Sequence, residues 1–145
     1  MAWRPIASGV LGVALWWFLF FAIGIGIGTL WPEYREAARL MFQEGDLSLF
    51  VTPMLFANLF LFVAAGIVVG CISALLGRSR IPALVVAALF FIYMVINHYI
   101  LAWEQLPPWY NLIVPVVVAG SIWLGSRIIN LREAKREDGV PASAA

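Results

Sequence analysis

Between Pro5 and Pro32, Leu47 and Gly77, Ile81 and Trp103, and Gln105 and Ser126 the chain carries no Asp, Glu, Lys or Arg. Each window exceeds the roughly 20 residues that cross a hydrocarbon core about 30 Å thick. A backbone immersed in lipid has no water to bond, and a segment of this length satisfies itself only as a helix. Composition leaves no soluble alternative. Of 145 residues, 63% are hydrophobic and 12% charged, against about 25% charged in an ordinary soluble domain, so too little polar surface exists to cover the rest.

The expected fold is an all-α integral membrane protein, a single antiparallel bundle of four transmembrane helices with spans at about 7–31, 49–76, 81–103 and 108–130. Residues 1–131 form the domain, and 132–145, with mixed charge, Gly139 and Pro141, read as a mobile cytoplasmic tail. The links 77–80 and 104–108 are short enough to make their flanking helices antiparallel neighbours. Pro82 suits a first helical turn, where its missing N–H is not needed. Arg4 before an apolar run imitates a secretory signal, but the run is too long and is read as an uncleaved helix. Val68-Val69-Gly70-Cys71 imitates a lipoprotein processing box, yet lies deep in the second window.

Positive residues resist translocation, so their distribution orients the chain. Four crossings put Arg4, Arg78, Arg80, Arg127, Arg132, Lys135 and Arg136 on one side, and only Arg35 and Arg39 on the other. Both termini are therefore expected in the cytoplasm, in a membrane most like the bacterial inner membrane. Indole rings favour the headgroup level, which suits Trp3 inside and Trp31, Trp103 and Trp109 outside. Trp16, Trp17 and Trp123 fall within spans, where no interfacial belt explains them.

Residues 32–44 predict a short helix along the outer interface. Pro32 fits its first turn, Glu33 and Glu36 its positive end, and Gly45 its stop. Tyr34, Ala37, Ala38 and Met41 share one face, with charged residues largely opposite. The alternative role for this segment is docking an extramembrane partner.

In lipid, close backbone approach is the main association signal between helices, and small residues four apart permit it. Gly24 with Gly28, Gly66 with Gly70 and Ala74, and Ser121 with Gly125 are the expected packing seams, toward other helices of this chain or toward a partner.

Polar side chains within a bilayer are costly and are the first candidates for function. Asn58, Tyr93, Asn97, Glu104 and Asn111 can form a shallow outward-facing polar pocket. At 100° per residue Tyr93, Asn97 and Glu104 share a face of the third helix, while His98 points elsewhere. The ordinary role of such groups is interhelical hydrogen bonding or, for Glu104, interfacial hydration. His98 is the one histidine, so bis-histidine haem ligation within the chain is excluded. Cys71 is the one cysteine, so no internal disulfide or cysteine-based metal site forms. The net charge of +1 gives no footprint for nucleic acid.

No zinc-protease motif, P-loop, nucleophile elbow or intramembrane carboxylate pair is present. The first functional expectation is a non-catalytic small membrane subunit or scaffold that packs against partner membrane proteins or itself. The second is a small transporter, channel or lipid- or quinone-binding protein using the polar pocket. No metal or tightly held cofactor is expected, and lipid or quinone is the class of small molecule to consider.

Overall fold

The computed structural model describes residues 3–137, with side chains described at 3–100 and 102–129. Five helices succeed one another among the described residues: α1 (Trp3–Leu30), α2 (Pro32–Glu44), α3 (Thr52–Gly77), α4 (Ile81–Ile96, continuing as a π-helical turn Asn97–Leu101) and α5 (Pro108–Glu137). Among the described residues no strand occurs. Four stretches, Trp3–Leu30, Thr52–Gly77, Ile81–Ile100 and Pro108–Ile129, are long and apolar enough to cross a membrane. The chain is a membrane protein by that criterion.

Element ends reflect local chemistry. Trp31 is extended at φ −135°, and Pro32 opens α2 in the turn where no N–H is required. Gly45 closes α2 in the left-handed region at φ 70°, its N–H bonding the Met41 carbonyl at 3.2 Å. Arg78 ends α3 at φ 49°, an unusual conformation for a residue with a Cβ, and the Ser79 N–H reaches the Ala74 carbonyl at 3.3 Å. The expected boundary at residue 131 lies inside α5, which continues to Glu137. The remainder of the anticipated tail, 138–145, lies outside the described residues.

Cross-helix contacts give the direction of each helix. Along α1, Ser8 lies by Gly77, Gly12 by Ser73 and Val86, and Trp16 by Phe62 and Phe90. Helix α1 therefore runs opposite to α3 and alongside α4. Phe56 stacks on Trp109 near the start of α3 and α5, and Gly125 meets Ile67 and Cys71 farther along. Those two helices run in the same direction, as alternation requires.

The closest backbone approach is between α3 and α5. A methyl on Gly70 would strike the Ile122 carbonyl, one on Gly66 the Ser121 side chain, and one on Gly125 the Ile67 carbonyl. Cys71 Sγ donates to the Gly125 carbonyl at 3.2 Å across this seam. Gly66, Gly70, Ser121 and Gly125 thus pack within the chain, and Ala74 is buried on the same helix. Gly24 packs nothing, since a methyl there would meet open space. Gly28 faces Arg35 of α2 rather than a second spanning helix. Gly12, absent from the expected seams, is the close-approach glycine of α1.

The outer shell is apolar: Ile6, Phe18, Ile25, Phe60, Ile100 and Val116 all stand more than half exposed, as lipid-facing side chains do. Helix α2 is different in kind. Its buried Tyr34 and Ala37 turn inward, and Arg35, Glu36 and Arg39 remain exposed.

Candidate functional site

Because α2 folds back over the end of α1 while α3, α4 and α5 close together on the other side, a cavity of about 670 Å³ opens between α1, α2, α3 and the end of α4. That volume falls within the roughly 300–1,000 Å³ of small-molecule sites. Gly28 permits the fold-back, because its missing Cβ leaves room for Arg35, whose Cβ would lie only 3.2 Å from a methyl there.

One end of the cavity is aromatic. Trp16 packs on Phe90 with ring centres 4.7 Å apart, and Phe20 stacks on Phe62 at 5.9 Å. Trp17 meets Tyr93 edge-on at 5.8 Å, and Phe21 meets Phe42 of α2 at 5.4 Å. Residues 16, 17, 20 and 21 occupy one half of α1, which explains the two indoles that an interfacial belt leaves unexplained.

The other end is polar. The Tyr34 hydroxyl donates to Asn58 Oδ1, linking α2 to α3, and Tyr110 from α5 also interacts with Asn58. Burial pushes the Tyr34 phenol up to about 12, since the phenolate would lose its water. Gln105 accepts the Leu47 N–H at 2.9 Å and lines the wall between the two loops. At the rim Arg39 forms a two-pronged pair with Glu36 at 2.6 and 3.0 Å and donates to Gln43 at 2.6 Å. The guanidinium holds the Glu36 carboxyl below its ordinary range. Arg35 also lines this rim.

His98 is buried too, 8% exposed. Its Nδ1 is 2.9 Å from Asn111 Oδ1, while Asn111 Nδ2 donates to the carbonyls of Leu106 at 3.2 Å and Trp103 at 3.4 Å. The Tyr110 ring packs against the imidazole at 5.6 Å between centres. His98 stands at the start of the π-helical turn 97–101, in which the Ala102 N–H bonds the Asn97 carbonyl at 2.9 Å, five residues back. A π turn inserts a residue relative to the α-helix and rotates the downstream side chains. The regular 100° step holds as far as His98, since Tyr93, Met94, Asn97 and His98 line one wall at the spacing of residues 16, 17, 20 and 21 on α1, and fails only beyond it.

Of the five residues expected in a pocket, Asn58, Tyr93 and Asn97 line the cavity. Asn97 spends its amide on the Tyr93 carbonyl at 3.0 Å, within its own helix. Asn111 is fully buried behind His98 and does not itself line the wall. Glu104 is exposed in the loop and stands outside the cavity. His98, set apart from this group by regular helical geometry, belongs to it. The sequence singles out Tyr34 on the inner face of the short helix and Tyr110 among the polar residues at the start of the last span, but does not join them and the aromatic wall into one site; the paired aromatics at 16–17 and 20–21 are the signal for that wall.

The lining holds, among the described residues, no Asp or Glu, and so offers no carboxylate for acid–base work. Among the described residues no three His, Cys, Asp or Glu side chains converge. The arrangement can enclose an apolar body, stack a ring and bond a small polar head. Searches against protein-family models, curated proteins and solved structures find no match to the chain.

Proposed function

We propose that this protein binds a lipid-like small molecule, an apolar body with a compact polar head, in the cavity between α1, α2, α3 and α4. The observation that carries this reading is the cavity's composition: about 670 Å³, walled by aromatic rings at one end and by Asn58, His98 and Gln105 at the other. Such sites combine apolar walls with a few placed polar groups. A void of this size lined by Trp and Phe also forfeits dispersion contacts that a ligand restores.

The distribution of charge supports one orientation of the bundle. With four crossings the sequence puts seven Lys/Arg on one side and two on the other, which favours both termini in the cytoplasm. The cavity then opens on the outer side, beneath α2, and α2 rests along the outer interface with Arg35 and Arg39 at headgroup level. A bacterial inner membrane fits this arrangement. The competing role, a subunit that packs against partner proteins, leaned on the small-residue seams; the deepest of these is filled by α3 against α5 within the chain.

Native mass spectrometry of the chain, isolated from its own membranes in mild detergent, tests the reading. The expected result is a monomer or homo-oligomer carrying a small molecule, released on Trp17→Ala with Phe62→Ala. Stoichiometric foreign subunits with an empty cavity would overturn it in favour of the scaffold role.

A further inference from the structure

The preference of the cavity among ligands, granted that it is a ligand site, turns on the proton of His98. The orientation of the Asn111 amide is fixed, because its NH2 faces two backbone carbonyls, at Leu106 and Trp103, that can only accept. Its oxygen therefore faces His98, and the 2.9 Å contact requires that His98 Nδ1 carry the proton. Among the described residues no carboxylate lines the cavity to balance an imidazolium, which favours the neutral ring. A neutral ring protonated at Nδ1 has a bare lone pair at Nε2.

Within the described residues Nε2 makes no hydrogen bond, and it is not among the sealed, unpartnered polar atoms, of which Ser73 Oγ is the example. His98 is more than nine-tenths buried and lines the cavity. Its remaining face is therefore directed at the enclosed space, where it offers an acceptor and no donor.

We propose that the cavity, on the reading above that it binds a lipid-like molecule, selects a ligand whose head donates a hydroxyl to His98 Nε2: a phenol or hydroquinone on an apolar chain, in preference to the corresponding quinone. A quinone oxygen can only accept, so against Nε2 it places two lone pairs in opposition. The amides of Asn58 and Gln105 can donate to a second head oxygen in either form, and so do not distinguish the two. The rings of Trp16, Trp17 and Tyr93 supply a wall for a flat head of either kind. Discrimination thus falls on the imidazole.

The test uses the full-length chain in lipid nanodiscs under anaerobic conditions, with three probes: a decyl-substituted hydroquinone, its quinone and its dimethyl ether. Calorimetric titration should give the hydroquinone an affinity about tenfold or more above the other two, the ratio expected when a buried acceptor is left unpaired. His98→Phe should abolish that preference while the ether still binds. Because the chain has one histidine, nitrogen NMR of histidine-labelled wild type reads the same atom without mutation. The Nε2 resonance should be unprotonated in the empty protein and shift with hydroquinone but not with ether. Equal binding of all three probes, or a proton on Nε2, would overturn the selectivity and leave the cavity reading standing. Binding of none of them would overturn both.

Discussion

Replacing Gly70 by alanine should part α3 from α5. A methyl at that position would lie 2.8 Å from the Ile122 carbonyl carbon and 3.1 Å from its Cα, against about 3.5–4.0 Å for relaxed carbon contacts. The Ile122 carbonyl oxygen is nearer still, and all three obstacles are backbone, which cannot rotate aside, so the helices must separate by about 1 Å or more, enough to forfeit about half of the dispersion well for each contact along the seam. The expected cost is about 1–3 kcal/mol. Gly125→Ala meets the same kind of obstacle from the other helix, with the Ile67 carbonyl carbon at 2.9 Å and the Cys71 nitrogen at 3.0 Å. The two lie on one interface, so the first separation makes room for the second methyl, and the double variant should cost less than the sum of the singles. Gly26→Ala is the control, because a methyl there meets nothing within 4 Å. In a membrane the unfolded reference retains its helices, so the usual propensity gain of alanine largely cancels and the control should stay within about 0.5 kcal/mol of wild type. Unfolding in mixed micelles of rising SDS fraction, monitored by tryptophan fluorescence, measures all four. A Gly70→Ala variant as stable as Gly26→Ala would refute the packing argument.

Single groups give three further expected outcomes. Ser73 Oγ is buried without a hydrogen-bond partner, so Ser73→Ala should raise stability by about 1 kcal/mol; a lower SDS midpoint for the variant would show that the hydroxyl has a partner. Tyr34→Phe removes the hydroxyl that joins α2 to Asn58 and should speed hydrogen exchange across 32–44 while leaving the α3–α5 seam protected; equal acceleration in both would mean α2 is not separately held. Tyr34 has its phenol raised from 10 to about 12, so the folded state prefers the protonated form. Its contribution is intact below pH 10 and is lost as pH rises toward 12, and wild type minus Tyr34→Phe absorbance should place the phenolate transition above that of a free tyrosine.

Much of the architecture was readable because lipid imposes a single rule on the backbone. Four uncharged windows long enough to span become four helices, and Pro32, Gly45, Pro82 and Pro108 mark their ends for reasons confined to one or two residues. The packing was readable only in part. Gly24-x-x-x-Gly28 and Gly66-x-x-x-Gly70 carry the same pattern, yet Gly70 touches a backbone carbonyl and Gly24 faces open space. They differ in the surface that arrives opposite: α5 lies against Gly70, and nothing lies within reach of a methyl on Gly24. A small residue licenses close approach but does not bring a partner to it.

The site escaped sequence reading at one identifiable step. Projecting helix α4 at a uniform 100° per residue joins Glu104 to Tyr93 and Asn97 and sends His98 elsewhere. The cavity wall is broad enough to take in Asn97 and His98 together, 100° apart, while the π turn that follows Ile96 breaks the projection for the residues beyond it, Glu104 among them. That turn has a physical correlate a few residues downstream: Pro107 and Pro108 end the segment, and neither can donate a backbone N–H to it. The carbonyls of Trp103 and Leu106 at this junction are taken up by the side chain of Asn111. Asn111 therefore does two things at once, closing an irregular backbone and fixing the proton on His98. This coupling gives Asn111→Leu a specific expected consequence. Losing the amide should release His98 Nδ1 and loosen 97–106 together, visible as mixed histidine tautomers and faster exchange in that segment. A variant that loosens the segment but keeps the Nδ1 proton in place would separate the two roles and weaken the assignment of Nε2 as the acceptor.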